Sequence, residues 1–139
     1  MTMTYHRART RIFLTWLVLA CLTASGKSWA VDCASPMTQA DMTQCALEDW
    51  KKADAELNAV YKKLMKKISP AGQKELRAVQ RAWIAYRDRQ CAFNNLGTVN
   101  GSVHPMLISQ CTSDLTREQI KILREQAECG ENDFTCGGQ

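Results

Sequence analysis

The sequence predicts an all-α protein: a small disulfide-stapled bundle of three helices built on an antiparallel helical hairpin. Three observations lead there. Apolar residues recur at three-to-four spacing in three stretches after Met37. A Ser69-Pro70 step is all that separates the first two stretches. An even set of cysteines remains once an N-terminal leader is set aside.

The leader spans residues 1–30. Arg7, Arg9 and Arg11 precede an apolar run from Ile12 to Leu22, and a short polar stretch ends at Ser28-Trp29-Ala30. Small residues three and one positions before Val31 fit signal-peptidase cleavage after Ala30. The apolar run is about half of the roughly 20 residues a spanning helix needs. Val18-Leu19-Ala20-Cys21 offers a competing route as a lipobox, with Leu19 an unusual residue at its position and Cys21 as a lipidated N-terminus. The expected locations are therefore periplasmic or secreted, with a lipid anchor at Cys21 as the alternative. The chain's net charge of +4 resides in Arg7, Arg9, Arg11 and Lys27, so residues 31–139 are near neutral. Without a basic surplus, the electrostatic footprint of nucleic-acid binding is missing.

The first helix begins at Thr38, an N-cap with Asp41 at N3 and Met37 and Met42 as a hydrophobic staple. From Met42 to Ile68 the apolar stripe includes Trp50, Ala53, Leu57, Tyr61 and Leu64. Lys51, Lys52, Lys62, Lys63, Lys66 and Lys67 fall mainly off the stripe and read as a solvated face. Ser69 caps a second helix with Pro70 at its first position, and Leu76, Val79, Trp83 and Tyr86 carry the stripe to about Phe93. Asn94 to Gln110 holds Asn-Asn, Leu-Gly, Asn-Gly and His-Pro steps and reads as a loop. Thr116 and Gln119 then resemble a capping box, with Leu115 and Ile120 as a staple, starting a third helix that runs to about Glu128. Residues 31–128 form the domain, and residues 129–139 a Gly-rich tail.

A turn as short as Ser69-Pro70 makes the first two helices antiparallel neighbours. That register sets Asp54 opposite Arg87, Asn58 opposite Trp83, and Tyr61 opposite Gln80. Asp54 and Arg87 are expected to form a bidentate, structural ion pair. Cys33, Cys45, Cys91 and Cys111 gather near the hairpin end distant from Ser69-Pro70, where more than one pairing is open. Cys129 and Cys136 lie close enough in sequence for a local bridge. No Cys-x-x-Cys pair occurs, and His104 is the single histidine after residue 30, so neither a metal site nor a cofactor is expected.

The same residues carry a family resemblance. Cys33, Cys45, the run Ala53 to Tyr61, the run Gln80 to Asp88 with Cys91, and Cys111 with Leu115-Thr116 follow in order. Together they resemble the LprI-type lysozyme-inhibitor N-terminal-domain family, formerly a domain of unknown function. The likeness spans about Cys33 to Leu123; Gln119-Ile120 stand where an Arg is expected, and Cys129 and Cys136 lie outside the four-cysteine pattern. What the resemblance implies is an exported helical protein that, in some members, inhibits lysozyme. A lysozyme inhibitor must block a cleft whose chemistry depends on two carboxyl groups. The loop residues Asn100, Ser102 and His104 have suitable groups, on a segment that Cys91 and Cys111 could brace. The expected partner is thus a lysozyme; the alternative is an envelope interaction or stress module that binds another envelope protein. A membrane enters only through Cys21. No nucleophile elbow or acid–base constellation surrounds His104, so the chain is read as a non-enzyme with no catalytic residue.

Overall fold

The computed structural model describes residues 31–129, and these form three helices with no strand among them. Helix α1 runs Gln39–Met65, α2 Pro70–Asn94 and α3 His104–Glu128, with a 3-10 turn at Leu96–Thr98 between the last two. The leader, Cys21 and Cys136, with the bridge expected between Cys129 and Cys136, lie outside the described residues.

Local chemistry sets the first two helix starts. Thr38 has extended backbone, its hydroxyl accepts from the Asp41 amide at 3.1 Å, and the Asp41 carboxylate accepts from the Thr38 amide at 3.0 Å. This is the expected capping box. The expected staple does not form, because Met37 is 87% exposed. Ser69 accepts from the Gly72 amide at 3.2 Å with Pro70 at the first position, as expected. The Gln73 side chain then donates to the Met65 carbonyl at 3.0 Å and ties the end of α1 to the start of α2.

The third helix departs from expectation. It starts at His104, with Pro105 in its first turn, twelve residues before the capping-like Thr116. Thr116 and Gln119 are buried inside this helix, and the Thr116 hydroxyl donates to the Thr112 carbonyl one turn back at 2.6 Å. They cap nothing, and Leu115 and Ile120 staple nothing.

The main helix contact is α1 with α3, and α2 packs more loosely on α3. Asp49 pairs with Arg117 and Glu56 with Arg124, both across 68 residues, so α1 and α3 run parallel. Ala46 and Ala53 of α1 and Ser113 and Thr116 of α3 are buried small residues, which let two helices approach closely. Towards the Ser69-Pro70 end, Leu57, Leu64 and Ile68 of α1 and its turn meet Ile120, Leu123 and Ala127 of α3. Val60, Tyr61, Met65, Leu76 and Trp83 pack against that cluster from its edge. The Lys67 ammonium donates to the Ala127 carbonyl, a cation placed at the C-terminal end of α3. Cys33–Cys45 and Cys91–Cys111 are disulfides with both cysteines among the described residues, the second joining the end of α2 to α3.

Candidate functional site

The segment between α2 and α3 is shorter and more ordered than a seventeen-residue loop. It covers Asn95 to Val103, and consecutive turns hold it. The Thr98 amide donates to the Asn95 carbonyl at 3.0 Å, Gly101 to Thr98 at 2.7 Å, and His104 to Gly101 at 3.1 Å. The Asn95 side chain donates to the Cys91 carbonyl at 2.9 Å, and the Cys91–Cys111 bridge closes the base. A Cβ on Gly101 would lie 3.3 Å from the Thr98 carbonyl oxygen, which explains a glycine there by close approach.

The three residues expected to face a partner behave differently. Asn100 and Ser102 are exposed on the loop. His104 is half-buried, and its Nδ1 lies 2.9 Å from the Thr98 hydroxyl, which also donates to the Asn95 carbonyl. His104 therefore fixes the loop from inside. Phe93 at the end of α2, and Leu96 and Val99 on the loop, add exposed apolar surface, at 69%, 63% and 55% exposure. For Leu96 and Val99 the signal was available, since apolar residues next to Asn and Gly steps have no long helical face to bury.

The residues expected to lock the hairpin line a cleft instead. Asp54, Leu57, Asn58 and Tyr61 form its α1 wall, and Arg77, Gln80, Arg81, Ile84 and Arg87 its α2 wall. Five of the six residues expected to face one another thus line one cleft, and the expected Asp54–Arg87 ion pair does not form. Arg87 instead pairs with its neighbour Asp88 at 2.8 Å and lies over Trp83, 5.1 Å from the ring centre. Asp54 accepts from the Asn58 amide at 2.9 Å on its own helix, and Gln80 accepts from Gln119 of α3 at 3.1 Å. Trp83 is turned toward the core cluster rather than toward Asn58. The physical reason is the parallel α1–α3 seam, which draws α2 onto α3 and away from α1.

Polar contacts across that seam centre on Asp49. Its carboxylate accepts from Arg117 and, at 2.8 Å, from the buried Ser113 hydroxyl. The Arg117 hydrogen bond is the main cause, with Ser113 second, that holds the Asp49 carboxyl below its ordinary value of 3.8. No group of three or more metal-ligating side chains occurs among the described residues, and no described helix is long and apolar enough to cross a membrane.

The model of the family described as lysozyme inhibitor LprI matches residues 31–123. An uncharacterized protein of Rhizobium meliloti (strain 1021) is 37% identical over 131 residues, covering 84% of this chain and 94% of that protein. No solved structure matches the chain.

Proposed function

Because the chain belongs to the lysozyme inhibitor LprI family, we propose that it is an exported binding protein that blocks a lysozyme with the loop between α2 and α3. The family match across residues 31–123 carries this reading. Bond cleavage by a lysozyme depends on two carboxyl groups flanking the scissile glycosidic bond. A donor held between those groups competes with the sugar for the same acceptors. Asn100 and Ser102 supply such donors, and His104 serves them indirectly by holding Thr98. The braced loop has already lost much of the conformational freedom that binding would otherwise remove. Leu96, Val99 and Phe93 add an apolar surface of the kind that forms interface cores.

Export rests on residues 1–30, with processing after Ala30 or lipidation of Cys21. Intact mass of the envelope-purified protein distinguishes the two ends. An acylated Cys21 would exclude the freely soluble form.

The test of inhibition is the clearing of a cell-wall suspension by several lysozyme types, with and without excess purified protein. Slowed clearing by at least one type is expected. A paired Asn100→Ala and Ser102→Ala variant should inhibit about tenfold less at an unchanged melting temperature, the loss expected from removing one or two hydrogen bonds to charged acceptors. If no lysozyme type is slowed, the inhibitor reading fails, and a partner should be sought among envelope proteins.

A further inference from the structure

The cleft between α1 and α2 shares no residue with the loop, and its walls carry a distinct chemistry. It encloses about 280 Å³, near the lower end of the range for small-molecule sites. Three guanidinium groups line α2, at Arg77, Arg81 and Arg87, against one carboxylate, Asp54, on α1. With Arg87 paired to Asp88, Arg77 and Arg81 against Asp54 leave an excess of one positive charge around a half-open groove.

Two of these arginines are not used up by the fold. Among the described residues, the Arg77 and Arg81 side chains make no ion pair and no hydrogen bond. They stand one turn apart on the same helix, where like charges repel. Arg87 is only 7% exposed, yet its Nε and Nη2 both point at a single oxygen of Asp88, at 2.9 and 2.8 Å. That leaves donors of its five-donor fork beyond the pair. Trp83 beneath the guanidinium restricts how far it can swing.

The opposite wall decides what kind of anion fits. Asp54 and Asn58 are hydrogen-bonded to one another, and together they present a carboxylate acceptor suited to a hydroxyl or amide N–H. A multiply charged phosphate would meet that carboxylate. A singly charged acid carrying a hydroxyl or amide would not, since its acid end can lie on Arg77 and Arg81 and its neutral end near Asp54. Guanidinium forks match carboxylates in a planar, bidentate fashion.

We infer that the cleft between α1 and α2 binds a small carboxylate-bearing molecule, of monosaccharide or dipeptide size, gripped at its acid end by Arg77 and Arg81 and oriented by Arg87 and the Asp54–Asn58 pair. This site is separate from the inhibitory loop and does not depend on lysozyme binding.

Titration calorimetry on protein purified after full-length expression tests it with three probes. N-acetylmuramic acid carries the carboxylate on a sugar, N-acetylglucosamine is the same sugar without it, and D-alanyl-D-alanine carries it at a peptide end. Millimolar or tighter binding is expected for at least one of the two acids, and whichever binds identifies the source of the carboxylate. The neutral sugar should bind at least about tenfold more weakly. Exchanging both exposed arginines, Arg77→Gln with Arg81→Gln, should weaken the acid at least about tenfold while the helical circular-dichroism signal and melting temperature stay unchanged. The same variant should still slow lysozyme, and the Asn100→Ala, Ser102→Ala variant should still bind the acid. Absence of binding by both acids, equal binding of the neutral sugar, or full binding by the arginine variant each overturns the inference.

Discussion

Arg87 and Asp54 face a common cleft, but their energetic roles differ because their immediate partners differ. The Arg87 stem is buried, its head rests on Trp83, and its charge is matched by Asp88. Truncation removes apolar packing of the stem and the cation–π contact together. Arg87→Ala should therefore cost about 1–3 kcal/mol in urea-induced unfolding, whereas Asp54→Ala, which loses one intrahelical contact to Asn58, should stay within about 0.5 kcal/mol. Equal losses in the two variants would restore the ion pair that the register alone suggests. Asp49 makes a pH-dependent contribution of the opposite character. Arg117 first, then Ser113, stabilises its charged form in the folded chain and lowers its titration point. A carboxyl lowered on folding contributes stability that is present above the unfolded value, near 4, and is lost as pH falls through the folded value. Because both side chains are nearly half exposed, solvent screening keeps the contribution below about 1 kcal/mol. Between pH 6 and pH 3, unfolding midpoints of the natural protein should fall more than those of Asp49→Asn. Parallel curves would show that the pair adds nothing to folding.

At the scale of the helix, the parallel α1–α3 seam depends on residues that a sequence pattern assigns elsewhere. Thr116 and Ser113 are fully buried, and Ala46 and Ala53 are nearly so. Thr116→Leu should overpack this seam and cost about 1–3 kcal/mol, while Thr38→Ala, which removes a true cap, should cost about 1 kcal/mol. A Thr116→Leu variant as stable as the natural protein in thermal melts would mean the seam has room to spare. The starts of α1 and α2 are legible in the sequence because Thr38 with Asp41 and Ser69 with Pro70 act within a single turn. Helix α3 is legible as a helix and at its end, but its start is not. Thr116-x-x-Gln119 imitates a capping box, while Asn100-Gly101 and His104-Pro105 look like loop steps until Pro105 is placed in a first turn. That Asp54, Asn58, Tyr61, Gln80 and Arg87 share one side of the hairpin is also legible, since all five line one cleft. Their separation is not, because it depends on which pair of helices packs most closely, a competition that no short-range pattern encodes.

For the whole molecule, the limiting quantity is the size of the core. Its larger buried aliphatic residues are Leu57, Leu64, Ile68, Ile120 and Leu123, and the rest of the buried surface is alanine, cysteine and small polar side chains, with Arg87 and Gln119. A domain with so few large core residues gains only modest hydrophobic stabilisation against chain entropy. The bridges supply what the core lacks. Cys33–Cys45 and Cys91–Cys111 close segments of 12 and 20 residues, which corresponds to about 3 kcal/mol each in the chain-entropy account. Their sum is comparable with the lower part of the 5–15 kcal/mol stability of ordinary domains, at about 6 kcal/mol. The two also hold different parts of the chain. Cys33–Cys45 anchors the turn that precedes α1, and Cys91–Cys111 closes the base of the loop that carries Asn100 and Ser102. Paired replacement at Cys33 and Cys45 by Ser should lower stability by about 2–4 kcal/mol and leave the proposed lysozyme inhibition intact at temperatures where the chain stays folded. The same exchange at Cys91 and Cys111 should cost a similar amount and, in addition, weaken inhibition at least about tenfold, because the loop would have to be ordered on binding. Urea unfolding and the clearing assay on both variants measure the two effects separately. Equal inhibition by the two variants would detach the loop from function even if both lose stability as expected.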